Sequence, residues 1–546
     1  MPLAKFQLTI SKNQLRMKKI TLFCFISLLL FSSCSKEDNT EVTQITQLTS
    51  SQSTAMLSVG DSLTLTLSCI PVNLSAPTCT WTSSDPTVAT VDNKGKIKAL
   101  GRGTTTINIL LPDIRNYGLG LNTQCKLTVT YKGDGSVSNP YLIYTVADLK
   151  AIRDSVNTNN AVYGNKAYKL MNDLDFSTET SDWTPIGNTT TVTFKGSVDG
   201  NGKTIRNIRI GHISQVNGSG MLCSMQYAGL VGLIDGAIIK NIEVDWIQIM
   251  TAFGGTDNCY VGGIAAYGSG VISNCTTNGD FACQIFRTNY VGGIIGYGTA
   301  TTTIDNCHYN SGSISLSSYN IVAGYYSGGI AGYNIGTISN CTSAGTIGAS
   351  WNYNGGIAGY SIGSIVNCYC SNGMTPEWTE CVSGGIAGYQ TGTIINCYSA
   401  GAVKGGYSGG IVGEGGYITN CYATGDITGS KYVCGIAAAA TNVSYCITLN
   451  SSITGVYSDA NTARVCYSLI TATNATNNYA STNMKITNNS ATVTNFSNMT
   501  LNGSDLTAQP VDLLNAYVSA NPTFNNIALS KWKVTAGVNN GYPVFE

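Results

Sequence analysis

Histidine is almost missing from this chain: His212 and His308 are the only two in 546 residues. A triad built on imidazole is excluded by that scarcity, and no His-Glu-x-x-His phrase is present to hold a hydrolytic zinc. Charge is scarce as well. Acidic and basic side chains balance at 29 each and make up 11% of the chain. Nucleic acid requires a basic face, so no nucleic-acid partner is expected, and nothing calls for a cofactor. The apolar stretch Ile20 to Phe31 has twelve residues, too few to span a bilayer.

What the chain does have is glycine, 62 residues, and tyrosine, 31, as a turn-rich β protein would. From Gly229 to Ile453 one phrase recurs. It reads Gly262-Gly-Ile-Ala-Ala-Tyr267 and returns from Gly292, Gly328, Gly355, Gly384 and Gly409, which are 30, 36, 27, 29 and 25 residues apart. A degenerate copy starts at Cys434 and a forerunner at Gly229. Each phrase is answered by Asn-Cys: Asn274-Cys275, Asn306-Cys307, Asn340-Cys341, Asn367-Cys368, Asn396-Cys397 and Asn420-Cys421. Periods of this size mean stacked units. Each unit carries two short apolar runs separated by turn residues and no helical pattern. One unit cannot bury its own apolar face, so like strands must pair in parallel, making one coil per repeat.

In Gly328-Gly-Ile-Ala-Gly-Tyr333 strict alternation predicts Ile330 inside with Gly328 and Gly332, and Ala331 and Tyr333 outside. Alternation fails at Ile338-Ser-Asn-Cys341. An Asn340 in the left-handed region brings both Ile338 and Cys341 inside, which predicts an asparagine ladder at a bend. Cysteines that come once per coil, without clustered partners, are read as small apolar fillers rather than metal ligands. No metal site is expected.

The Gly-Gly-Ile-Ala-Gly-Tyr and Ile-x-Asn-Cys-Tyr-Ser-x-Gly pattern resembles the GLUG repeat of bacterial surface proteins. The segments Asn139 to Leu149, Asn172 to Asp175, Trp183 to Gly187 and Phe194 to Lys203 resemble its usual lead-in. The resemblance implies an extracellular β-helical stalk or adhesin-like region and carries no catalytic residues. Further upstream, Leu57 to Leu67 and Thr104 to Ile109 alternate at period two, as in a β-sandwich. Val59-Gly-Asp61, Trp81 to Asp92 and Gly95 to Gly103 resemble the group 2 bacterial immunoglobulin-like domain, with Trp81 as core filler. The fold class expected is all-β: an immunoglobulin-like sandwich followed by a parallel, right-handed β-helix with short capping helices.

Met17-Lys18-Lys19 and the apolar stretch after it read as a signal peptide over residues 1–33, with Met17 as the expected start. Leu30-Phe-Ser-Ser-Cys34 resembles a bacterial lipobox, which implies lipidation at Cys34. Ser35, Lys36, Glu37 and Asp38 resemble the acidic export signal of Bacteroidota lipoproteins, which implies an outer-membrane, surface-exposed protein anchored through Cys34. The domains expected are a tether over 34–44, the sandwich over 45–131, and a linker, cap and first coils over 132–228. The repeats follow over 229–460 and the last coils and C-terminal cap over 461–546. Thr145 and Asp148 predict a capped helix with Val146, Leu149, Ile152 and Val156 on one face, closing the N-terminal end. Pro510 to Val518, with Trp532, Tyr542 and Phe545, is expected to close the other end.

Cys370 with Cys381, and Cys69 with Cys79, are candidate disulfides that bracket loops. Between Gly262 and Ile453 the acids are Asp280, Asp305, Glu377, Glu380, Glu414 and Asp426, with Arg287, Lys404 and Lys431 as the bases. These are too few to assemble acid–base chemistry, so catalysis is not expected. Binding is the better reading. Tyr267, Tyr297, Tyr333, Tyr360 and Tyr389 end successive first strands and would stack outside as an aromatic ladder, a packing device or a platform for sugar rings. The longer connections Tyr319 to Tyr326 and Trp351 to Tyr353, and Trp378, are further candidates. The function expected is non-catalytic attachment to glycans or an extracellular protein of matrix or cells. The alternatives are a polysaccharide-binding or -degrading accessory protein and a structural stalk or appendage subunit.

Overall fold

One repeat makes one turn of a coil. In the computed structural model the unit from Tyr325 builds strands Tyr325–Gly328, Ala331–Asn334, Thr337–Ser339, Thr342–Ser343 and Thr346–Ala349. The structure describes residues 45–70, 78–112, 120–211, 225–253, 258–285, 288–317, 324–349, 352–371, 373–376, 380–469, 475–494 and 502–546. Cys34, Ser35, Lys36, Glu37, Asp38, Trp351 and Trp378 lie outside them. Like strands pair in parallel and in register, so that Ile304 meets Ile338, Ile365, Ile394 and Ile418 in turn. Among the described residues this makes a 30-stranded sheet that wraps most of the coil and a 12-stranded sheet that closes it.

The interior is dry and apolar. Ile264, Ile294, Ile330, Ile357, Ile386 and Ile411 are fully buried in one cluster with Cys275, Cys307, Cys341, Cys368, Cys397 and Cys421. Each such isoleucine contributes about 1.5–3 kcal/mol by leaving water. Cys341 and Cys397 are fully buried among these isoleucines and pack as small hydrophobes. One expectation is corrected here. Ala331 lies inside with Ile330, because the phrase is two strands meeting at a corner at Gly329 and Ile330, and the corner resets the alternation.

The asparagine bend forms as the sequence predicts. Asn241, Asn274, Asn306, Asn340, Asn367, Asn396 and Asn420 all hold φ between 49° and 57°. Their amides mostly bond up the stack: Asn306 to Asn274 at 2.8 Å, Asn367 to Asn340 at 3.0 Å, Asn396 to Asn367 at 2.8 Å and Asn420 to Asn396 at 2.8 Å. Asn340 instead donates to Asp305, at 2.7 Å.

Helix α1, Val146–Thr158, has its capping box, Thr145 and Asp148 each bonding the other's backbone. It buries Leu149, Ile152 and Val156 against the first coils. Helix α2 is the single turn Asn160–Tyr163. The sandwich upstream holds sheets of four and three strands around Ile97, Ile107, Ile109, Cys125 and Leu127, with Trp81 packed against them. Arg102 fastens it to the coil: its guanidinium donates to Tyr131 at 2.7 Å and to Ser155 of α1 at 3.1 Å.

The C-terminal segment departs from expectation. Helix α3, Pro510–Ala520, and the strands Trp532–Lys533 and Val544–Phe545 fold back along the flank of the coil rather than across its end. They cover a buried stack of Tyr398 and Tyr422 with Val366, Ile395 and Ile447, an outward apolar strip that the coil cannot bury by itself. Of the cysteines named as candidate disulfides, Cys69 and Cys79 lie buried in the core of the sandwich. Cys370 packs over Gly356 inside the coil while Cys381 faces Ser383 before the 12-stranded sheet, so their side chains belong to different walls.

Candidate functional site

The corner at Gly-Gly-Ile sets tyrosines on both of its sides. On the wrapped sheet, Tyr267, Tyr297, Tyr333, Tyr360 and Tyr389 pair in register. Their rings stack at 5.1, 4.7, 4.8 and 4.7 Å between centroids. On the closing sheet, Tyr227, Tyr260, Tyr290, Tyr326 and Tyr353 form a second stack at 5.3, 5.1, 5.0 and 5.6 Å. The columns meet edge to face, with Tyr290 against Tyr297 at 5.2 Å and Tyr326 against Tyr333 at 5.6 Å. Such contacts contribute about 0.5–1.5 kcal/mol each. Behind the tyrosines of its own coil Gly332 is closely packed: a Cβ there would stand 2.5 Å from the Val291 nitrogen.

Of the residues named from sequence, the structure gathers Tyr267, Tyr297, Tyr333, Tyr360, Tyr389 and Tyr353 into this one feature. The sequence points to Tyr326, at the end of a longer connection, but not to Tyr227, Tyr260 or Tyr290. Their signal is a tyrosine two residues before the first glycine of the phrase, as in Tyr260-Val-Gly-Gly and Tyr290-Val-Gly-Gly. Ring faces are turned toward the rings above and below. The strip therefore presents half-buried ring edges and phenol hydroxyls at a repeat near 5 Å, not open faces. Burial, with neighbouring phenols, pushes the Tyr333 hydroxyl up to about 12; burial, with Glu414 nearby, does the same at Tyr353. Both phenols stay neutral and keep their O–H donors.

The columns end one coil apart, the closing-sheet column at Tyr353 and the wrapped-sheet column at Tyr389. Val382 follows Tyr353 and Glu414 follows Tyr389. Burial raises the Glu414 carboxyl above its ordinary range. Such a group favours folding below the ordinary glutamate pKa and loses that contribution as pH rises through the raised value. Glu414→Gln is therefore expected to match the wild type in thermal unfolding at pH 3.5 and to melt higher at pH 7.5. A lower melting point at pH 7.5 would show the carboxylate to be engaged in the fold.

The other acids of the repeats that fall among the described residues are engaged in turns or an ion pair. Asp280 accepts from Ser313, Asp305 from Ser339 and Asn340, and Asp426 from Ser452, while Glu380 pairs with Lys431 at 2.7 Å. Among the described residues no group of three or more His, Cys, Asp or Glu could hold a metal.

Residues 44–113 match the bacterial Ig-like domain (group 2), and residues 323–348 match the GLUG motif. Halomucin of Haloquadratum walsbyi is 30% identical over 232 residues, 41% of this chain and 2% of that protein. An uncharacterized protein of Clostridium acetobutylicum is 36% identical over 102 residues, 19% of this chain and 10% of its own length. The chain thus spans a small part of the curated relatives it matches. Among solved structures, a suspected immunoglobulin A1 protease from Bacteroides ovatus aligns at TM-score 0.32 and 19% identity, over 76% of this chain and 94% of that one. An IgA1 protease aligns at 0.33 and 15%, over 73% and 25%. Scores this low carry no argument about activity.

Proposed function

We propose that this chain is a cell-surface, adhesin-like protein, anchored at the outer membrane through a lipid on Cys34. Its double tyrosine strip takes a hydroxyl-rich extended ligand, a glycan chain or an extracellular protein, without covalent chemistry. The observation that carries the reading is the strip itself: two columns of stacked phenols, half exposed, along one corner of a rigid coil. Rigid rings lose little entropy on binding, and regularly spaced hydroxyls fit a repeating partner. The GLUG motif, the Ig-like module and the halomucin match support display at a surface.

The test is the triple variant Tyr290→Phe, Tyr326→Phe, Tyr333→Phe on an array of extracellular glycans and matrix proteins. Stacking is kept and only the hydroxyls go. Each hydroxyl bond contributes about 0.5–1.5 kcal/mol, so affinity is expected to fall at least about tenfold with unchanged melting. A second reading, a purely structural stalk, is favoured by the mutual covering of the ring faces. It requires that neither the wild type nor the variant bind anything on the array.

A further inference from the structure

The asparagine bend is broken once. Asparagine holds the left-handed position in the coils from Asn241 to Asn420 and again at Asn477, but Tyr445 holds it between them at φ 56°. A large side chain is strained there. The substitution also interrupts the amide ladder, because the Asn420 Oδ1, buried and next in line for a donor, has no partner among the described residues. Local rules that a chain breaks at one position of a repeat mark candidate functional positions. Tyr445 is 41% exposed, and it stands at the mouth of a cleft of about 270 Å³ between α3 and the flank of the coil.

The lining says what would fit. Tyr445, Tyr479 and Tyr517 supply aromatic surface, with Tyr445 and Tyr517 at 5.0 Å and 52° forming two sides of a corner. Asn477 and Asn521 supply amides, and Leu513 with other aliphatic side chains makes the floor. No acid, lysine, arginine or histidine lines it. The three phenol hydroxyls and the Asn477 amide make no hydrogen bond among the described residues. We propose that this cleft binds one neutral pyranose ring of a glycan. The apolar C–H face of the sugar lies on tyrosine, and its hydroxyls exchange hydrogen bonds with the phenols and amides. A charged sugar would lose its hydration there with no counter-charge. The site is separate from the tyrosine strip and does not depend on it.

Tyr445→Asn separates this reading from a packing role. It restores the bend residue and offers Asn420 its missing donor, so unfolding is expected at higher temperature while the sugar site is lost. The measurement is saturation-transfer NMR on the full chain, with methyl β-D-galactopyranoside and N-acetylglucosamine as probes and glucuronate as the charged counterpart. The wild type is expected to saturate the ring protons of a neutral probe and not those of glucuronate. Tyr445→Asn is expected to weaken that binding at least tenfold. Asn477→Gly, which keeps the left-handed backbone and removes the amide, is expected to do the same. Absence of transfer to either neutral probe overturns the proposal, as does transfer unchanged in both variants or equal transfer to glucuronate. A loss on Tyr445→Asn identifies the cleft whichever way the array on the strip turns out.

Discussion

Asn396→Ala is expected to lower stability by about 3–5 kcal/mol, several times the effect of the same change at Asn274. Asn396 is fully buried, at φ 55°. Its amide donates to Asn367 at 2.8 Å and to the Ser530 carbonyl at 2.9 Å. Its oxygen accepts from Asn420 at 2.8 Å and from the Trp532 indole at 2.8 Å. Alanine would keep a backbone conformation that it tolerates poorly and would leave the buried indole N–H without its acceptor. Asn274 sits on the same ladder but is exposed, and water replaces its two side-chain bonds. The difference should appear in urea unfolding followed by tryptophan fluorescence. Asn396→Ala should also free the C-terminal segment for chymotrypsin, which Asn274→Ala should not. Equal effects at the two sites would show that the ladder does not clamp the flank.

The second large effect is expected at Ile357→Ala, toward the upper part of the range of about 2–5 kcal/mol for such truncations. Ile357 is fully buried, with the Ile330 nitrogen bonded to its carbonyl at 2.9 Å and its own nitrogen bonded to the Ile386 carbonyl at 2.9 Å. The backbone around the gap is pinned above and below. Gly355, Gly356 and Gly359 beside it have no side chains with which to fill the space. Coils contact only their neighbours, so the loss should also split the stack, and unfolding should show two transitions rather than one. The exposed Ile362, 40% accessible, is the control: its change to alanine should stay within about 0.5 kcal/mol. A single transition shifted no further than that control's would argue against a continuous interior column.

The contrast between the two columns of tyrosine shows where reading the chain stops. Tyr333 was legible as outward because it closes a repeated phrase. That it meets Tyr326 edge to face was not, because the two sit on different walls and only the corner at Gly329 and Ile330 brings them together. The same corner placed Ala331 inside against strict alternation. Tyr445 was equally silent: its meaning lies in the row of asparagines it interrupts, which is a row only once the coils are stacked.

The sequence by itself determined the parallel stack, the buried isoleucine and cysteine columns, the left-handed asparagines and the capped first helix. Each follows from a unit that can bury its apolar face only against a copy of itself, so period and pattern are sufficient. Tertiary structure alone decided that ring faces are spent on one another, that Cys370 and Cys381 belong to different walls, and that the C-terminal segment runs back along the flank. Those outcomes depend on contacts between residues far apart in the chain: the amides of Asn367 and Asn396 reach residues 528 and 530, and no local pattern encodes a partner at that distance.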